Sequence, residues 1–92
     1  MSIERRQVVY EGRVQGVGFR MTSARLASAF PVAGHVRNLD DGRVEILVEG
    51  EGPSVVAFLS AIRREFGDAI RNLNETPEAA GDEPLVGFSI RH

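Results

Sequence analysis

Hydrophobic periodicity switches once in the first third of the chain, at a pair of glycines. From Gln7 to Val14 the residues alternate, Val8, Tyr10 and Val14 facing one way and Gln7, Glu11 and Arg13 the other, which is the two-residue repeat of a half-buried strand. Past Gly16 and Gly18, the apolar residues Phe19, Leu26, Ala27 and Phe30 fall at helical spacing instead. Pro31 closes that pattern, because the residue before a proline is pushed out of the helical region, and the spacing predicts a helix over roughly Met21–Ala29. Glu11–Arg20 therefore reads as a strand that turns through glycines into a helix.

Such a turn has a chemistry of its own. Gly16 and Gly18 carry no Cβ, so the backbone of Gln15, Gly16, Val17, Gly18, Phe19 and Arg20 can curl until several N–H groups point at one spot beside the positive end of the helix. The Arg20 guanidinium adds a planar fork that grips two oxygens of a phosphate at once. Taken alone, the glycines are the ordinary mark of a tight turn. Neither common phosphate loop is present: a dinucleotide fingerprint needs a third glycine where this chain has Met21, and a Walker loop needs Gly-Lys-Ser/Thr. Thr22 and Ser23 fall early in the helix, where their hydroxyls are expected to cap free N–H groups.

Further along, strands are predicted over Ala33–Asn38 and Arg43–Glu49, on either side of Asp40-Asp41-Gly42, whose Asp-Gly pair tolerates the positive φ angles of a tight hairpin. Val44, Ile46 and Val48 face one side while Arg43, Glu45 and Glu49 face the other, which predicts a sheet covered on one face and wet on the other. The two aspartates diverge in such a turn, so turn chemistry is expected of them and not a metal pair. Gly50–Ser54 reads as a break. Pro53 then suits the first turn of a second helix, with Val55, Leu59, Ile62 and Phe66 as its buried stripe, Arg63, Arg64 and Glu65 solvated, and Gly67 as the C-terminal cap. A fourth strand over Ile70–Thr76, a polar loop over Pro77–Pro84 and a short fifth edge strand with Val86, Phe88 and Ile90 follow, and His92 is expected to fray.

Strand, helix, strand, strand, helix, strand is the order of an α+β, ferredoxin-like split βαβ sandwich: an antiparallel sheet with two helices on one face, here with a short extra C-terminal strand. In that topology the first two strands run the same way with the third between them. Their C-terminal ends share one edge, so the glycine turn and Asn38 are expected to face a common anion. Asparagine before a turn also bonds its own backbone, and spacing alone leaves Asn38 open between the two roles.

Gly12-Arg-Val-Gln-Gly-Val-Gly-Phe-Arg20 and Gly34-His-Val-Arg-Asn-Leu-Asp-Asp-Gly-Arg-Val-Glu45 together resemble the two signature segments of the acylphosphatase family, at matching separation and chain length. The resemblance covers nearly the whole chain. It implies hydrolysis of the carboxyl–phosphate bond of acyl phosphates without metal or covalent intermediate, with Arg20 binding the phosphoryl group and Asn38 positioning the attacking water. Three positions depart from the usual pattern: Tyr10 replaces an aliphatic residue, His35 a large aromatic, and Leu39 a threonine found in several members.

Composition narrows the alternatives. At 92 residues, one domain is expected. The absence of cysteine excludes a disulfide framework and a thiol nucleophile, and a net charge of −2 argues against a broad footprint for nucleic acid. No cofactor, metal, nucleic-acid or membrane partner is expected, only an acyl phosphate substrate and inorganic phosphate as product and competitor. With no apolar leader at the start, the cytoplasm is the default location, and a monomer the default state. A non-catalytic phosphate-binding or regulatory domain is one alternative. An RNA-binding module of the same topology is another, but it would need stacking aromatics on the first and third strands, where only Tyr10 stands.

Overall fold

In the computed structural model, which describes residues 2–16, 18–79, 81 and 83–92, the elements run β1 (Ile3–Gly12), α1 (Phe19–Ala27), β2 (Val32–Asn38), β3 (Val44–Glu51), α2 (Gly52–Phe66), a 3₁₀ turn (Gly67–Ala69), β4 (Ile70–Glu78) and β5 (Phe88–Arg91). The strands form one sheet in the order β4-β1-β3-β2-β5. Each neighbouring pair among the first four is antiparallel, so β1 and β2 run the same way on either side of β3, as the split βαβ order requires, and β5 joins the far edge parallel to β2. Val44 is the register mark that matters for function. It pairs with Tyr10 on β1 and with Asn38 on β2, so the two strand ends stand at one level of the sheet, two strand spacings or roughly 10 Å apart.

Both helices pack on the face that presents Val8, Tyr10, Val36, Val44, Ile46 and Val48. From α2 come Val55, Phe58, Leu59 and Ile62, an i, i+3, i+4, i+7 stripe that includes Phe58, a residue absent from the predicted stripe, while Phe66 is only partly buried. Pro53 lies in the first turn of α2, and Gly67 closes it with a φ of 46°. Gly50–Gly52 is not a loop: β3 runs to Glu51 and α2 opens directly at Gly52.

Several expectations need correction. Helix α1 starts at Phe19, two residues early, with Gly18 as its N-cap and no side-chain cap. Thr22 and Ser23 therefore lie beyond the capping positions: the Thr22 N–H already donates to the Gly18 carbonyl, and Ser23 is buried with its Oγ unpartnered among the described residues. β4 extends through Pro77 to Glu78, because on an edge strand the missing N–H of proline can face away from the sheet. Val86 is almost fully exposed and precedes β5.

Nor is the face away from the helices simply wet. Glu45 and Glu49 are only 6% and 5% exposed. Glu45 accepts hydrogen bonds from Gln7 Nε2 at 2.7 Å, Arg37 Nε at 2.8 Å and His35 Nε2 at 3.3 Å. Glu49 accepts from Arg5 Nε at 2.9 Å and from the Leu85 backbone N–H at 2.8 Å, so the segment after β4 crosses β3. Burial opposes ionisation of both carboxyls, yet these donors outweigh it and hold both below the usual carboxylate range. Tyr10 points into the core, which leaves β1 and β3 without an aromatic on this outer face and removes the platform an RNA-binding sheet would use.

Candidate active site

The site is built where β1 ends. Gly16 and Gly18 both have φ 76°, a left-handed conformation that costs a residue with a Cβ roughly 1–2 kcal/mol, and two such positions around a single residue bend the chain sharply from strand to helix. The first-turn N–H groups of Phe19, Arg20 and Met21 have no helical acceptor because they open the helix, and Gly18 has no side chain to cap them. No acidic residue stands in that turn. An anion is the natural cap for such a helix end.

Beneath the turn lies an aromatic stack. The Phe19 ring is 1% exposed, 4.1 Å from Phe66 and 5.2 Å from Tyr10, so its side chain is committed to the core and only its backbone is available to a ligand. Tyr10, which replaces an aliphatic residue, is thus part of the floor under the loop, and burial pushes its phenol up. Gln15 is committed as well: its Nε2 donates to the carbonyls of Leu39 at 2.8 Å and Arg43 at 3.0 Å. The loop is thereby pinned to the β2–β3 hairpin that carries Asn38. Within that hairpin Asp41 accepts from the backbone N–H and Nε of Arg43, which depresses its pKa, and Gly42 takes φ 95°. Both features are turn chemistry.

Arg20 and Asn38 line the same pocket, of about 140 Å³, together with Val14, Gly16, Gly18, Phe19 and Met21. Val17, expected in the anion loop, lies outside the described residues. Arg20 has no carboxylate partner among the described residues; its Nη1 faces the Arg91 carbonyl at 3.4 Å and His92 Nδ1 at 3.1 Å. His92, expected to fray, thus stands beside Arg20. Asn38 Oδ1 is closed to solvent and has no hydrogen-bond partner among the described residues, so this oxygen is not used to stabilise the turn. A larger cleft of about 490 Å³ between the end of α2 and the start of β4 shares none of these residues.

A pocket that combines a helix N-terminus, a carboxamide and a guanidinium with no carboxylate partner among the described residues is suited to a phosphoryl group. A family model described as acylphosphatase matches residues 6–90. The chain belongs to the acylphosphatase family. An acylphosphatase of Methylococcus capsulatus is 50% identical over 62 residues, 67% of each chain, and one of Pseudomonas paraeruginosa is 51% identical over 80 residues, 87% of each. The crystal structure of acylphosphatase from Bacillus subtilis superposes with a TM-score of 0.86 at 33% identity, covering 99% of this chain and 100% of that one. As a family member the chain is an enzyme that hydrolyses acyl phosphates. No described helix is long and apolar enough to cross a membrane.

Sequence reasoning missed the Gln15 clamp, the Met21 lip of the pocket and the His92 contact. Gln15 left one clue, a polar side chain between the strand and Gly16; His92 left none, since its place depends on the pairing of β5.

Proposed function

We propose that Arg20 and the first-turn N–H groups of α1 hold the phosphoryl oxygens of an acyl phosphate while the Asn38 carboxamide holds a water in line with the phosphorus–oxygen bond to the acyl group. The observation that carries this reading is that Arg20 and Asn38, on separate elements, line one small pocket at the glycine turn. Water oxygen bonds to phosphorus, the acyl carboxylate departs with the bonding electrons, and the proton lost by water is taken up by a phosphoryl oxygen. Carboxylate is a good leaving group, so placement and electrostatic stabilisation supply most of the catalysis. The pocket lining offers N–H groups, a guanidinium and a carboxamide, a donor set for an anion that presents no carboxylate to a cation.

Inorganic phosphate, which retains the group most heavily contacted, competes with substrate. The chain acts as a monomer: one sheet edge is β4, guarded by Pro77 and by Glu75 and Glu78, and the other is the four-residue β5. Hydrolysis of acetyl phosphate in ¹⁸O-labelled water tests the chemistry. Label in inorganic phosphate is expected; label in the carboxylate would place the attack at the carbonyl carbon and overturn the role given to this pocket.

A further inference from the structure

Strand β5 brings the end of the chain back to the site. It runs parallel to β2, with Arg91 opposite Arg37, so His92 stands level with Asn38 at the edge where the glycine turn lies. There Arg20 Nη1 meets two acceptors, the Arg91 carbonyl at 3.4 Å and His92 Nδ1 at 3.1 Å. An Nη nitrogen carries two hydrogens, enough to serve both acceptors. What remains of the guanidinium is Nε–H and Nη2, the lateral fork that takes two oxygens of one phosphate side by side.

We infer that His92 is a positioning residue for Arg20: its imidazole and the Arg91 carbonyl occupy Nη1, fixing the rotation of the guanidinium so that the Nε–Nη2 edge meets the phosphoryl group. For Nδ1 to accept, the ring is neutral with its proton on Nε2. Without the imidazole, Nη1 has one acceptor in place of two, and the guanidinium turns more freely between its lateral and terminal forks. Ordering it then falls to the ligand, which weakens binding in ground state and transition state alike. His92 is exposed and makes no part of the core, so replacing it leaves the core untouched. This inference rests on Arg20 being the group that grips phosphate.

The test compares His92→Ala, His92→Asn and Arg20→Ala in the full chain, measuring kcat and KM with acetyl phosphate and the inhibition constant of inorganic phosphate. His92→Ala is expected to raise both KM and the phosphate inhibition constant roughly fivefold to twentyfold, the loss of one charge-assisted hydrogen bond, with kcat nearly unchanged. His92→Asn, whose Oδ1 can accept where Nδ1 did, is expected to restore most of that loss. Parental binding in His92→Ala, or an Asn variant as weak as Ala, would overturn the positioning role. Arg20→Ala keeps the two ideas apart: if it abolishes phosphate inhibition while His92→Ala changes nothing, only the inference about His92 fails. If Arg20→Ala itself leaves phosphate inhibition intact, the role of Arg20 fails and this inference with it.

Discussion

Arg5, Arg6, Arg37 and Arg43 are each paired with a carboxylate, whereas Arg20 has none beside it among the described residues, which on the proposed reading leaves its charge for the ligand. In the proposed role the planar fork counts as much as the charge. Arg20→Lys, which keeps the charge and loses the fork, is expected to lower kcat/KM for acetyl phosphate by roughly two to three orders of magnitude. Near-parental kinetics would show that a point charge is enough. That Arg20 and Asn38 would meet was readable from the sequence, since the order of the strands puts the glycine turn and the end of β2 at one edge of the sheet. His35 was not. It replaces a large aromatic, and its contact with Glu45 depends on a neighbouring strand in register, which the sequence near position 35 does not contain.

At the scale of elements, the glycine turn and the β2–β3 hairpin are joined by one side chain. Gln15 donates to Leu39 and Arg43 carbonyls that each already accept a backbone hydrogen bond of the hairpin. Removing it thus strands no carbonyl but lets the anion loop drift relative to Asn38. Gln15→Ala is expected to cost about 1–2 kcal/mol of stability by denaturant titration and to lower kcat/KM roughly tenfold to a hundredfold, the scale of an ångström of misplacement. A variant that loses stability and keeps its kinetics would make the clamp purely structural. The order of the elements was readable from periodicity; their ends were less so. The start of α1 hid behind Gly18, which caps by conformation and not by a recognisable side chain, and Pro77 reads as a loop unless β4 is known to be an edge.

Over the whole molecule, alternation along β3 identified which residues turn away from the helices but could not show that Glu45 and Glu49 are covered, because their partners Gln7, His35, Arg37, Arg5 and Leu85 come from other parts of the chain. That coverage gives the fold an acid limit. Glutamate in an unfolded chain titrates near about 4.3, and folding holds these two carboxyls lower, so their stabilisation is fully present above that pH and is lost as pH falls through the folded values. Melting temperature is expected to drop steeply below about pH 4. In Glu45→Gln the drop should be shallower, with roughly 1–3 kcal/mol already missing at neutral pH. Parallel curves for the two proteins would contradict the pairing.

The convergence of Arg20 and Asn38 on one pocket matters only if they do different things there, one gripping phosphate and the other holding water. Kinetics of Asn38→Ala, with folding checked by circular dichroism and thermal melting, separate the two roles most directly. The division of roles predicts a phosphate inhibition constant close to the parent's and a kcat lower by roughly two to four orders of magnitude, about 3–5 kcal/mol of lost transition-state stabilisation. A folded Asn38→Ala protein that kept most of its kcat would contradict it.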